Sequence, residues 1–460
     1  MGIVPAMIFS ILVKGIAAII ELLTQLFISN YMGVSSFGTY TFFVSIIECG
    51  YFLLFSGSIK INTFYLSTPS VTIKKFRTKY NFYFVIPIVL LIFLLSLIFK
   101  NFYVSASSII IYIYYSALDR SSIFFARGKQ MQALLGEYLV GRIMMLISVV
   151  ICFNLNHLST FILLCLFGVQ YLTMCVWFLC FQSKLPKGKK DVKVDLHKLY
   201  EYQQSDIASS LITYTPTLLQ YFSSGAFATG FIGVVSVVRK FVYFISGPTA
   251  KVFLPEFSKL YKQNKIDLLQ RTYLMIVKVQ MVFIGAIGVA VVGYPKLLLS
   301  IFNSKLIPYT SLFLLTGICL LFIASLGPVV GILQMTGNEK IATINQWISI
   351  IVMAVSWLVL HNSTYFVVYG LCIQAVVEGI LEYITICLWM KRFVVSPQQF
   401  LKLWAPIVII SIFVNFVHLN NSFIALAISV LIIGVINVII AANDKIVRES
   451  LQRFLNRERK

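Results

Sequence analysis

Charge is scarce in this chain. Asp, Glu, Lys and Arg make up 12% of its 460 residues, about half the share of a soluble domain. With 59% hydrophobic residues and a mean hydropathy of +0.91, no water-facing surface can be assembled from so little charge, so lipid must be the solvent. Acid is scarcer still, with 16 Asp and Glu against 37 Lys and Arg, a net charge of +21. Among apolar runs such an excess reads as basic loops on one side of a membrane, and no nucleic-acid partner is expected. The four histidines, at 157, 197, 361 and 418, are too scattered for a metal site. The eight cysteines form no C-x-x-C pair and sit almost wholly within apolar runs, which excludes a disulfide or metal framework. There is no G-x-x-x-x-G-K-[ST] phosphate loop, no H-E-x-x-H and no nucleophile elbow. The longest connection between apolar runs, 182–204, is too short for a soluble catalytic domain. Neither an enzyme, a cofactor nor ATP hydrolysis is expected. The N-terminus lacks a basic n-region and a small-residue cleavage site, so its first apolar run reads as an uncleaved span.

What is present is a series of spans. About fourteen apolar runs are long enough to cross a bilayer: 7–29, 39–61, 81–99, 106–126, 132–153, 160–181, 205–224, 231–252, 274–294, 309–332, 343–361, 365–389, 403–417 and 422–441. An all-α polytopic bundle follows. Its connections alternate in charge. "IKKFRTKY" (73–80), "ARGK" (126–129), "KLPKGKKDVKVDLHK" (184–198), "SKLYKQNK" (258–265), Lys340, "KR" (391–392) and the tail "RFLNRERK" (453–460) form one set. The other set holds only Lys100, Lys296 and Lys305. This asymmetry predicts a multi-pass membrane protein with both termini and every basic loop cytoplasmic. The basic connection 182–204 divides the chain into a six-span N-terminal lobe (1–181) and a six-span C-terminal lobe (205–389), followed by two extra spans and a basic tail (390–460). The halves carry a weak repeat. "GVSSFGTYTFFVSI" (33–46) and "FATGFIGVVSVVRK" (227–240) both open the second span of their half, and setting Gly38 on Gly233 places Thr41 on Ser236.

Ionisable residues at membrane depth need a partner or a wet cavity, because an isolated charge there costs about 2.5–3.5 kcal/mol on insertion scales. The cations in this class are Lys14, Arg120, Arg142, Arg239 and Lys240. The acids are Glu21, Glu48, Asp119, Asp206, Glu378 and Glu382. Lys60, Lys251 and Lys278, near span ends, are expected to snorkel, and Glu137 to reach water. Asp119 and Arg120 can pair locally or with another helix, and Lys14 and Glu21 can serve a static inter-helix pair. Arg239 and Lys240 are adjacent, about 100° apart around a helix, so they cannot point the same way. A cationic cavity built from Lys14, Arg120, Arg142, Arg239 and Lys240 would suit an anionic substrate, since Arg forks and Lys point charges both bind phosphate oxygens. Glu21, Glu48, Asp206, Glu378 and Glu382 are candidates, by depth alone, for proton or sodium coupling. Pro216 and Gln220 in "TYTPTLLQYFSSG" (213–225), the prolines at 248 and 255, and "GPVVG" (327–331) mark expected kinks or breaks.

Three segments resemble the polysaccharide transporters, or O-antigen flippase-like proteins, of the multidrug/oligosaccharidyl-lipid/polysaccharide (MOP) exporter superfamily. They are "YMGVSSFGTYTFFVSI" (31–46), "FIGVVSVVRKFVYFISGPTAKVFLPEFSKLYKQNKIDLLQRTY" (231–273, with Leu254, Pro255 and Ser258) and "GPVVGILQMTGNEKIATINQ" (327–346). The layout is similar over the whole chain. Val235 stands where members often have Tyr, and the family's basic residue falls on Lys240 or Arg239 according to alignment. The resemblance implies two six-helix lobes around a central cationic cavity, working by alternating access. It implies an undecaprenyl-pyrophosphate-linked oligosaccharide as substrate, a bacterial cytoplasmic (inner) membrane as location, and other polysaccharide-assembly membrane proteins as partners. The competing readings are a multidrug exporter of the same superfamily, for which an acidic cavity is expected, and a membrane polysaccharide polymerase, for which a large outer loop is expected.

Overall fold

The computed structural model describes residues 3–66, 70–184, 190–242, 257, 260–261, 263–363, 365–390, 397–417 and 422–443. Lys251, His418, the prolines at 248 and 255, and the Leu254, Pro255, Ser258 motif lie outside the described residues.

The chain is almost wholly helical. In order come α1 (Ile3–Tyr31), α2 (Val34–Leu54), α3 (Ser56–Leu66), β1 (Val71–Thr72), α4 (Lys74–Ile98), α5 (Phe102–Ala126), α6 (Gln130–Asn154), α7 (Thr160–Phe181), β2 (Lys190–Asp191) and α8 (Leu196–Val242). There follow α9 (Ile266–Gly293), α10 (Pro295–Phe302), α11 (Thr310–Ala324), α12 (Val329–Met335), α13 (Glu339–Val359), α14 (Phe366–Met390), α15 (Pro397–Phe416) and α16 (Phe423–Asn443). Each of the fourteen apolar runs is mostly helix over its described residues, with internal breaks at Phe55 and at 325–328. Among the described residues ten helical stretches are long and apolar enough to cross a membrane. The protein is a multi-pass membrane protein. Helix α5 is not among the ten, because its serines, tyrosines and Asp119 lower its hydropathy. It tolerates them because it packs on α2, α3, α4 and α7 at once.

Two breaks depart from the simple span pattern. The run 39–61 is two helices, separated at Phe55, whose φ of −131° leaves the helical region. Gln203 of α8 closes that break. Its Nε2 donates to the carbonyls of Phe52 (2.7 Å) and Leu53 (2.8 Å), and its Oε1 accepts from the Gly57 N–H (2.7 Å). Helix α8 is interrupted at Gly225 (φ 78°, ψ −174°), where spans seven and eight meet, and it runs unbroken through Pro216. The expected break in "GPVVG" is present between α11 and α12, with Gly327 at φ +83°.

The chain forms two compact units, residues 8–233 and residues 234–460 with 1–7. In the first, β1 and β2 pair in parallel, Val71 opposite Lys190 and Thr72 opposite Asp191. Backbone N–H groups of Lys190 and Val192 donate to Ser70 and Thr72 carbonyls, each at 3.0 Å. Ile73 and Val194 are buried with Ile61 and Leu66 beneath this pair. The basic connection 182–204 is thereby pinned, through its second half, to the loop after α3. In the second unit α9 is central and packs on α11, α15 and α16. The Tyr294 hydroxyl lies 2.8 Å from that of Ser429, tying α16 to the end of α9.

The repeat has a different register from the one expected. Gly33 (φ +82°) and Gly225 (φ +78°) are the left-handed residues from which α2 and the second half of α8 start. Gly38 lies five residues past the first and Gly230 five past the second, so Gly38 corresponds to Gly230, not Gly233. The contacts are reciprocal. A Cβ on Gly38 would meet the Ala226 carbonyl oxygen at 1.8 Å, and a Cβ on Gly230 would meet that of Val34 at 2.4 Å. Ala226 stands to Gly225 as Val34 stands to Gly33, so the two segments cross about a local pseudo-twofold axis. Only glycine allows that backbone approach.

Candidate functional site

In the first unit, α1 and α6 bring three of the expected residues together. Lys14 and Glu21 lie two turns apart on one face of α1. Arg142 Nη2 is 2.9 Å from Glu21 Oε2, and both side chains are mostly buried. Glu21 Oε1 also accepts from Gln25 Nε2 at 3.2 Å. Tyr138, one turn before Arg142, stands between the cations: Lys14 Nζ is 4.5 Å from its ring centroid and the Arg142 guanidinium carbon 6.0 Å. Two cations from different helices therefore share one aromatic ring, held at a distance at which the ring quadrupole attracts both.

Glu48 lies on α2 near this group. The Tyr214 hydroxyl hydrogen-bonds to it, and Arg142, Tyr114 and Tyr171 lie within its electrostatic reach. The tyrosines pack on one another, Tyr114 with Tyr171 at 4.4 Å and with Tyr51 at 4.8 Å between centroids. Glu48, inside an apolar run, is thus faced by phenol groups drawn from α5, α7 and α8.

The other expected residues of this unit go elsewhere. Arg120 turns to its own helix and to α7, donating to the Ser116 carbonyl (3.2 Å) with Cys175 Sγ at 3.9 Å. Asp119, its neighbour, points about 100° away around the helix and pairs with Arg77 of α4. Asn62 Nδ2 adds hydrogen bonds to Asp119 Oδ1 (2.6 Å) and Ser122 Oγ (2.9 Å). Asp206 pairs with Lys60 at 2.7 Å, so Lys60 meets a carboxylate where snorkelling was expected. Glu137, expected to reach water, accepts from Ser121 Oγ at 2.6 Å.

In the second unit Arg239 lies within electrostatic reach of Glu378, whose carboxylate accepts a hydrogen bond from Gln374 Nε2. Glu382, one turn further along α14, is buried. It lies close to Tyr273, whose hydroxyl donates to the Leu326 carbonyl at 2.5 Å. Arg239 is half-buried and Lys240 exposed, as their angular separation requires.

No family model and no curated protein sequence matches the chain. Solved structures do. The chain is similar to a lipid II flippase, MurJ, in its inward closed conformation, with a TM-score of 0.68 and 15% identity over 95% of this chain and 98% of that one. It is similar to an inward-facing multidrug resistance MATE family transporter of the MOP superfamily, with a TM-score of 0.63 and 11% identity over 84% and 98%. A MOP superfamily transporter from Pyrococcus furiosus matches with a TM-score of 0.62 and 10% identity over 85% and 95%. The fold is that of the MOP transporters.

Within this MOP fold, several residues that build the site carried no signal in the sequence. Tyr138 was one of 24 tyrosines, and Arg77 one of the basic residues of "IKKFRTKY". Gln203 sat in the connection just before an apolar run. Each gains its role from a partner in a distant part of the chain. Among the described residues, Gln220 Oε1 and both side-chain polar atoms of Gln280 and of Asn437 are buried with no hydrogen-bond partner.

Proposed function

We propose that this protein is a flippase that moves an undecaprenyl-pyrophosphate-linked oligosaccharide, an O-antigen unit or similar surface-polysaccharide repeat, from the inner to the outer leaflet of the cytoplasmic membrane by alternating access. The observation that carries the reading is the convergence of Lys14 and Arg142 on Tyr138 at membrane depth. A guanidinium and an ammonium together can bind a diphosphate, and an aromatic face between them can take a sugar ring. Arg239 is the matching cation of the second unit. The likeness in fold to a lipid II flippase supports a lipid-linked substrate. Transport of this kind is not catalysis, and the chain's residues bind and release without forming bonds. Coupling to H+ or Na+ would fall to the acids that face these cations, Glu21, Glu48 and Glu378.

The test is reconstitution. Liposomes containing the protein should move a fluorescent polyprenyl-diphosphate oligosaccharide between leaflets, and Lys14→Gln with Arg142→Gln should slow this at least about tenfold, the loss of roughly one charged hydrogen bond. Equal rates in protein and protein-free liposomes would refute the reading.

One observation favours a second reading. Glu48 among tyrosines is a setting that suits an organic cation, and MATE multidrug transporters share the fold. Under that reading the same liposomes move ethidium, Glu48→Gln abolishes the movement, and the diphosphate lipid stays in its leaflet.

A further inference from the structure

Helix α4 starts as a cationic segment and continues as a lipid-facing span. Its exposed residues, which also include Lys74, Phe84 and Leu91, contain one stripe along the helix: Lys75, Lys79, Tyr83, Leu90, Leu94 and Leu97, with Phe82 at its edge. Tyr83 is 73% exposed and Phe82 65%, with the leucines of the stripe about half exposed. Read from the helix end inwards, that face passes from lysine to aromatic to aliphatic side chains. A leaflet changes in the same order, from headgroups through the interfacial zone to acyl tails. The opposite face behaves differently. Arg77 turns inward to Asp119 and is held there, and Val85 and Val89 are buried. The two kinds of cation on this helix are therefore sorted: the inward one is an internal ion pair, and the outward ones are exposed.

The strand pair enlarges this outward surface. Thr72 faces Asp191 in the parallel register, and neighbouring strands stand about 4.8 Å apart. Lys190, opposite Val71, and Lys193, both exposed, are thereby set on the strand that adjoins the start of α4, although they come from another connection. The nearby acids are used on backbone groups: Asp191 Oδ2 accepts from the Lys75 N–H at 3.4 Å, and Asp195 Oδ1 from the His197 N–H at 2.9 Å. Among the described residues Lys74, Lys75, Lys79, Lys190 and Lys193 form no ion pair.

We propose that this shelf, Lys75 and Lys79 of α4 with Lys190 and Lys193 of the paired connection, is a binding surface for the anionic headgroups of bilayer phospholipids, with Tyr83 at the interface below it. Two basic loops that would each attract acidic lipid weakly become one surface because the β1–β2 pairing holds them together. The phosphate and the negative charge of a phosphatidylglycerol headgroup lie at the level of the lysines, and its acyl chains run along Leu90, Leu94 and Leu97. The surface is independent of the transported substrate.

The test uses the full-length protein in vesicles of phosphatidylcholine, with trace spin-labelled phosphatidylglycerol or phosphatidylcholine as probe. The fraction of motionally restricted probe should favour phosphatidylglycerol by on the order of threefold at low salt, a preference that falls as salt screens it. In the variant Lys75→Gln, Lys79→Gln, Lys190→Gln, Lys193→Gln the preference should drop by at least half. The matching arginine variant should retain it, and a control losing the same charge at Lys265, Lys296, Lys305 and Lys340 should keep most of it. Equal losses in the test and control variants would overturn the proposal, because the effect would then be net charge alone. Displacement of the probe by inorganic pyrophosphate at constant ionic strength would overturn it in favour of a soluble anion. Selectivity is read without any transport assay, so it stands or falls apart from the flippase reading.

Discussion

Gly38 and Ala226 are in backbone contact: a Cβ on Gly38 would sit 1.8 Å from the Ala226 carbonyl oxygen, and Gly230 makes the equivalent approach to Val34. The neighbouring atoms are main chain and cannot rotate away. Gly38→Ala and Gly230→Ala should each destabilise the protein by about 1–3 kcal/mol, the usual cost of overpacking. Gly128→Ala, where a Cβ meets nothing but φ is +73°, isolates the cost of backbone strain alone. Thermal unfolding followed by size-exclusion fluorescence should show the two crossing variants melting several degrees below the wild type. Equal melting temperatures would mean that the helices part without cost.

The Glu21–Arg142 pair predicts an asymmetry between stability and transport. Arg142→Gln leaves Glu21 without its guanidinium in a mostly buried site, which costs about 3–5 kcal/mol for an unrelieved buried charge. The combined Glu21→Gln, Arg142→Gln variant removes both charges and should recover much of that stability. It should not recover transport, because the cation beside Tyr138 is still missing. A double variant that transports normally would remove Arg142 from the substrate path.

Asp119 and Arg120 should separate on mutation. Asp119→Ala leaves Arg77 and Asn62 without their acceptor and should cost about 2–4 kcal/mol. Arg120→Ala removes the hydrogen bond to the Ser116 carbonyl and the weaker contact with Cys175 Sγ, and should cost about 1 kcal/mol. The comparison of the two melting temperatures is the measurement.

Gln203 closes the α2–α3 break with three hydrogen bonds to backbone groups. Gln203→Leu keeps most of the volume and loses all three, so the Phe52 and Leu53 carbonyls and the Gly57 N–H go unmet. A destabilisation of about 2–4 kcal/mol is expected. Proteolysis of the intact protein should become faster within 52–57, and an unchanged rate would show that water replaces the side chain.

Arg239 and Lys240 should differ in function. Arg239→Ala should lower transport about tenfold or more, since Arg239 lies within electrostatic reach of Glu378. Lys240→Ala, on the exposed side of the helix, should stay within about twofold. The initial rate of leaflet exchange at equal protein level decides this, and the reverse order would move the substrate to the Lys240 face.

The positions of the helices were legible in the sequence because hydropathy is a local sum. Some twenty consecutive side chains decide whether a segment partitions into lipid, whatever the rest of the chain does. The depth of each charge followed from its place in such a run. Lys14, Glu21, Glu48, Arg142, Arg239 and Glu378 could be singled out on that ground. The breaks were less legible. Gly327 and Pro328 announce theirs, but Phe55 does not, because its break is stabilised by a glutamine far along the chain.

By itself, then, the sequence determined the solvent, the helical class, the approximate spans and which charges lie deep. Only the tertiary structure decided how those charges pair. Asp119 and Arg120 are neighbours in sequence and point to different helices, while Arg77 leaves a row of surface lysines to meet Asp119. The register of the internal repeat was decided the same way, by Gly33 and Gly225 and the reciprocal contacts of Gly38 and Gly230. The physical reason is common to all of these. Partition into lipid depends on a residue's neighbours along the chain, but an ion pair or a backbone contact depends on a distance between helices, which no single segment contains.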